Sequence, residues 1–218
     1  HFIEQARALD SPLPMPSSDR STSTEEWTAS TATASYTLYC WRGGMRSAAM
    51  AWLFRMAGMR VTTIDGGYKA YRAEVLRELS LAWPFVVIGG RTGSGKTTLL
   101  HELRQRGHQT VDLEALAHHK GSAFGALDQQ PQPTSEQVMN LVHQQLKLYD
   151  HGPIFIEDES LRIGTVVLHK PLYDHMQRSP LIFLDVPRET RARRLAAEYG
   201  SAQAADLLAC FEKIEKRL

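Results

Sequence analysis

Apolar residues in this chain fall in short continuous blocks, separated by longer stretches of helical periodicity. That alternation builds a parallel sheet flanked by helices. Phe85-Val86-Val87-Ile88, Ile154-Phe155-Ile156 and Leu181-Ile182-Phe183-Leu184 each read as a buried strand, and Thr110-Val111-Asp112-Leu113 adds a fourth. Helices are predicted from Lys96 to about Gln105 with Gly107 as cap, and from Pro171 to Arg178. Thr134 and Gln137 make a capping-box pair that opens another helix reaching Tyr149. Upstream, Tyr36-Thr37-Leu38-Tyr39 and Val61 to Ile64 predict two shorter strands. A helix opening at Ser47 and stopped by Gly58 follows the first, and Asp65-Gly66-Gly67 turns into a helix through Tyr68 and Arg72 after the second. His118 to Pro133 carries Gly, Gln and Pro without periodicity and reads as a long loop or lid.

The periodic pattern begins only at Tyr36. Between Ser17 and Ser35, 11 of 19 residues are Ser or Thr, and Pro12, Pro14 and Pro16 precede them. So little apolar surface cannot offset ordering entropy, and residues 1–35 are expected to be a low-complexity linker. Leu81-Ala82-Trp83-Pro84 looks like a seam, which divides the remainder into residues 36–82 and 83–218. The chain starts at His1 and stops inside a helical pattern, as expected of a fragment or a processed product.

Composition narrows the class. With 43% hydrophobic and 22% charged residues among 218, the chain is globular in character. A formal charge of +1 does not indicate a globally basic nucleic-acid binder. Two cysteines, Cys40 and Cys210, build no disulfide framework and point to a reducing, cytoplasmic setting. No apolar run approaches the roughly 20 residues of a membrane helix. The nine histidines form no ligand cluster, so a metal site made by side chains alone is not expected.

Two loops carry chemistry. Gly90-Arg91-Thr92-Gly93-Ser94-Gly95-Lys96-Thr97 fits G-x-x-x-x-G-K-[ST] between a strand and a helix. The glycines let backbone amides close on phosphate oxygens, and the helix starting at Lys96 points its positive end at them. Lys96 reaches the outer phosphate and Thr97 can ligate Mg2+. Gly90, Gly93, Ser94, Gly95, Lys96 and Thr97 are therefore the expected di- or triphosphate site. Glu157 or Asp158, after the Ile154 strand, is the candidate acidic group linked to a metal. Arg188, Arg191, Arg193 and Arg194 follow the Leu181 strand, as lid arginines that bind transferring phosphate, with a solvated helical face as the alternative for Arg191 and Arg194. In the second loop, Cys40 ends a strand ahead of a turn containing Gly43-Gly44. Converging amides, a helix N-terminus, Arg42 and Arg46 should stabilise its thiolate, making Cys40 a nucleophile or sulfur-type carrier. Cys210, in an Ala/Leu-rich helix, is expected to pack.

In order, these motifs resemble a known family. Tyr39-Cys40-Trp41-Arg42-Gly43-Gly44-Met45-Arg46-Ser47 and Asp65-Gly66-Gly67-Tyr68-Lys69-Ala70-Tyr71-Arg72 are similar to the C-terminal half of a rhodanese domain. With the Gly90 loop, the run from Asp112 to Gly125, Pro131-Gln132-Pro133 and Glu157 to Gly164, they resemble the bacterial tRNA 2-selenouridine synthases over about Tyr36 to Leu218. The resemblance implies an α/β protein with a partial rhodanese-like domain and a P-loop NTPase-like parallel-sheet domain. It implies a transferase whose partner is a tRNA carrying a wobble 2-thiouridine, with selenophosphate and geranyl diphosphate as co-substrates and geranylation preparing sulfur for replacement by selenium. Cys40 would carry selenium, and Gly90 to Thr97 would hold the diphosphate. A small-molecule kinase or ATPase with a remnant rhodanese loop, or an inactive phosphate-binding fragment, are the alternatives. No membrane or protein partner is indicated.

Overall fold

A computed structural model describes residues 35–200 and 203–215. Apart from Ser35, the expected linker lies outside the described residues. The described residues fall into two compact units, divided between Glu74 and Val75.

In the first unit, β1 (Ser35–Leu38) pairs in parallel with β2 (Arg60–Thr63), and α1 (Met45–Met56) joins them. Gly58, at φ +80°, follows the α1 C-cap Ala57 as the sequence suggested. α2 (Gly67–Leu79) begins at the second glycine pair, and the boundary between the units falls within it. Ser47 and Ala51 are the buried residues of α1, whereas Met45, Trp52, Leu53 and Met56 are exposed.

The second unit is a four-stranded parallel sheet in the order β4-β5-β3-β8. β3 (Phe85–Gly90) and β5 (Ile154–Glu157) lie at its centre, between β4 (Gln109–Val111) and β8 (Leu181–Leu184). α3 (Lys96–Gln105) crosses from β3 to β4, and the five-residue α4 (Leu113–Ala117) follows at once. The core gathers Val87 and Ile88 of β3, Leu100 of α3, Val111, Leu113, Ile154 and Ile156. α5 (Ser135–Leu146) buries Val138, Met139, Val142 and Leu146, a spacing of three and four that gives the helix one apolar face. Its N-cap is Thr134, whose hydroxyl accepts the Gln137 amide at 3.1 Å, the predicted cap.

One expectation changes. β8 is an edge strand among the described residues, and Leu181, Ile182 and Phe183 are about half exposed rather than buried. A continuous apolar run fits a strand covered on both faces, which an edge position does not provide. The aperiodic stretch before α5 is a loop, as expected, and is anchored near its end. The Gln132 side-chain amide donates to Ala117 O at 2.9 Å and Ile163 O at 3.0 Å. Its carbonyl accepts from Thr165 N at 2.8 Å and Thr165 Oγ1 at 3.0 Å. It thereby joins α4 to a small hairpin, β6 (Arg162–Ile163) and β7 (Val166–Val167). Gly164 turns that hairpin at φ +60°, where any Cβ would collide with Gln132 Oε1. α6 (Lys170–Met176), α7 (Arg188–Tyr199) and α8 (Ala204–Glu215) complete the unit.

Candidate functional site

In a parallel sheet the strands' C-terminal ends gather whatever the following loops carry. Here β3 runs into the Gly90 loop, β5 ends on Glu157, and β4 is followed by Asp112 and Glu114. Gly93 and Gly95 take φ +78° and +91°. A Cβ on Gly93 would meet Arg191 O at 2.9 Å, and one on Gly95 would meet Arg194 Nη1 at 2.9 Å. α7 thus presses on the loop, and at these positive φ values glycine alone sits without strain. Arg194 Nη1 donates to Ser94 O at 2.7 Å, and Arg191 Nη1 donates to Thr92 O at 3.3 Å. These arginines hold the loop's carbonyls, and Arg194 also lines the cleft.

The loop opens on a cleft of about 510 Å3 lined by Thr92 to Thr98, His101, Glu114, Lys120, Gly121, Glu159 and the α7 face from Arg194 to Tyr199. Lys96 Nζ donates to Gly90 O at 3.4 Å and lies 4.0 Å from Glu159 Oε1. Thr97 Oγ1 lies 2.7 Å from Glu157 Oε1 and 3.1 Å from Glu114 Oε2. Glu157 is fully buried and faces Thr97, whereas Asp158 is exposed and meets Gln177 on the other side. Of the two acidic candidates, only Glu157 reaches the loop. Burial first, and the charges of Glu114 and Asp112 second, raise its carboxyl to about 8. Burial and Glu114 likewise raise Glu159 to about 7, and Glu159 is hydrogen-bonded to Glu114.

Can a cation enter this arrangement? Glu157 Oε2 is buried without a hydrogen-bond partner among the described residues, beside the Thr97 hydroxyl. Hard oxygen donors of this kind suit Mg2+. No group of three or more His, Cys, Asp or Glu among the described residues could hold a metal alone, so phosphate oxygens and water would complete the set.

The acidic residues beyond β4 were not singled out from the sequence. Asp112 was read as part of a strand, but it is the N-cap of α4, accepting the Ala115 amide at 2.8 Å. This places Glu114 in the first turn, within reach of Thr97. The signal available was an Asp two residues before a Glu at the end of an apolar block.

The second loop lies in the first unit. Cys40, only 4% exposed, accepts the Gly44 amide at 3.1 Å, with Ser47 Oγ at 3.4 Å. The Ser47 hydroxyl, then the amides of Gly44, Ser47 and Arg42, bring the thiol from 9.0 to about 6 against the opposing effect of burial. Arg42 therefore acts through its backbone. Arg42 and Arg46 are exposed and line, with Cys40, Trp41, Gly44 and Met45, a pocket of about 290 Å3. Gly43 and Gly67 allow the two glycine turns to interlock. A Cβ on Gly43 would lie 2.5 Å from Gly67 N, and the Tyr68 and Lys69 amides take Cys40 O and Trp41 O at 2.9 and 3.0 Å. Cys210 is buried in α8. No described helix is long and apolar enough to cross a membrane.

Comparison with known proteins gives one consistent result. Residues 83–217 match the family described as the tRNA 2-selenouridine synthase AAA domain. The chain is 38% identical over 177 residues to a tRNA 2-selenouridine synthase of Shewanella frigidimarina, covering 78% of this chain and 46% of that protein. It is 40% identical over 169 residues to that of Sulfurovum sp., covering 74% and 45%. To the one from Serratia proteamaculans it is 41% identical over 169 residues, covering 74% and 44%. The chain thus spans a little under half the length of these curated relatives. Among solved structures, TT1252 from Thermus thermophilus is similar at 21% identity and TM-score 0.38, over 63% of this chain and 85% of that one.

Proposed function

The chain belongs to the tRNA 2-selenouridine synthase family, and from that premise we propose that it modifies the wobble uridine of tRNA, using the Gly90 loop for a prenyl diphosphate and Cys40 for selenium. The observation that carries this reading is a complete phosphate loop with Lys96 and Thr97 at a sheet's C-terminal end, in one chain with a cysteine whose sulfur accepts the Gly44 amide at 3.1 Å. Inward-facing amides, the α3 N-terminus and Lys96 bind the diphosphate of geranyl diphosphate and stabilise the charge it gains on leaving. Mg2+ held by Thr97 and Glu157 would neutralise part of that charge. Geranyl transfer to the 2-thio sulfur makes this sulfur a better leaving group: the selenium of selenophosphate, held in the Cys40 pocket, bonds to C2 as geranyl thiol leaves, and water then cleaves the Se–P bond to give phosphate. The chemistry is that of a transferase, and its partner is the tRNA itself. Gly90, Gly93, Ser94, Gly95, Lys96 and Thr97 form the phosphate site, and Cys40, with Arg42 and Arg46 at its pocket, forms the selenium site.

The experiment separates the two half-reactions. With 2-thiouridine tRNA, Cys40→Ser should lose selenium incorporation and keep geranyl transfer, while Lys96→Ala should lose geranyl transfer. Calorimetric titration should show wild-type binding of geranyl diphosphate that Lys96→Ala abolishes. Binding of ATP in preference to geranyl diphosphate, with ATP turnover in the absence of tRNA, would replace this reading by the kinase one.

A further inference from the structure

We propose that His101, oriented by Asp112, is the proton acceptor in the Gly90 cleft, taking the proton that the uridine must lose when its sulfur is alkylated. This rests on the transfer reading above and adds a residue to it. The step fixes the requirement. The 2-thio sulfur attacks C1 of the prenyl chain, and the C1–O bond breaks with its electron pair going to diphosphate. The N3–H pair becomes an N3=C2 bond as C2=S becomes C2–S. One proton is left over at N3, and a base within reach of the reacting uridine would take it up.

The geometry supplies such a base. His101 lies four residues after Thr97 on α3, so the two share a helix face with Cβ atoms about 6 Å apart, and both line the cleft. Its Nε2 is 2.8 Å from Asp112 Oδ2. Asp112 is 3% exposed, and its other oxygen is fixed by the Ala115 amide. A rigid buried carboxylate that accepts from Nε2–H leaves the lone pair on Nδ1, which has no hydrogen bond among the described residues. The side chain is 53% exposed, open to a substrate entering the cleft.

The other ionisable groups facing this space are otherwise engaged. Lys96 lies in its own loop, and Lys120 pairs with Glu198 at 2.7 Å. Glu114 meets Thr97 and Glu159. Glu157 is buried against the Thr97 hydroxyl, and Glu159 lies between Lys96 and Glu114.

A purely structural tie between α3 and Asp112 would survive replacement by another hydrogen-bond donor, whereas a base would not. The test is geranyl transfer to 2-thiouridine tRNA by His101→Gln and His101→Ala. General-base loss should lower kcat about 100-fold or more, with the KM for geranyl diphosphate and the melting temperature near wild type. The acid limb of the wild-type pH profile should disappear, and imidazole should restore transfer in His101→Ala. Wild-type kcat in His101→Gln, or no imidazole rescue of His101→Ala, overturns the assignment while leaving the transfer reading intact. No geranyl transfer by the wild-type protein overturns both.

Discussion

At the scale of single residues, Cys40 makes the firmest prediction. Its thiol sits at about 6, with the Ser47 hydroxyl as the largest cause. The iodoacetamide rate at Cys40 should rise with a midpoint near pH 6 and be flat by neutrality. Ser47→Ala should move that midpoint up toward the roughly 8.5 of a free cysteine. A wild-type midpoint already at that ordinary value would refute the thiolate assignment. The sign for stability follows the same ordering. The folded value lies below the unfolded 9.0, so the thiolate's contribution is complete above about pH 9 and is lost as pH falls through about 6. The amide cradle was legible in the sequence, since Gly43-Gly44 ahead of a helix is a local pattern. Ser47 was not, because it reaches the sulfur only once the first turn of α1 folds back over it.

At the scale of elements, local signals were read well and signals spread over distant segments were missed. α3 matches its predicted span, and the Thr134 cap of α5 is where the sequence put it, because propensity and capping act over a few residues. The β6–β7 hairpin has two residues per strand and so shows no period. The grip of α7 on the phosphate loop joins residues about a hundred positions apart. That grip predicts a division of labour among the arginines. Arg194→Ala should weaken diphosphate binding roughly 10- to 100-fold by freeing the Ser94 carbonyl, the scale of a charge-assisted hydrogen bond at about 1.5–3 kcal/mol. Arg193→Ala should not, since among the described residues Arg193 bonds to Glu189 of its own helix, and equal losses would assign the effect to net charge instead. Gln132→Ala strands carbonyls on α4 and the hairpin, and should cost about 1–3 kcal/mol in denaturant unfolding. An unchanged midpoint would mean that water replaces the amide.

For the molecule as a whole, the site is held at the expense of stability. Glu157 has its folded value, about 8, above the usual 4.5, so the native state binds its proton more tightly than the unfolded chain does. Its presence therefore lowers stability progressively as pH rises from about 4.5 to about 8. In metal-free buffer, Glu157→Gln should raise the melting temperature clearly at pH 8 and hardly at pH 5. An equal gain at both pH values would point to packing rather than charge. The α/β class was visible because block length and helical period are properties of the whole chain. The exposed outer strand was not, because an apolar block does not reveal whether a neighbour covers it. Among the described residues, that strand, β8, has no neighbour on its outer side, beside Leu181, Ile182 and Phe183. Such an edge is a template for another strand of the same kind. Concentrated solutions of this protein should scatter light increasingly with time, well below any thermal transition, and Ile182→Lys should keep them clear. The limit on handling it is then colloidal, set by how often two bare edges meet.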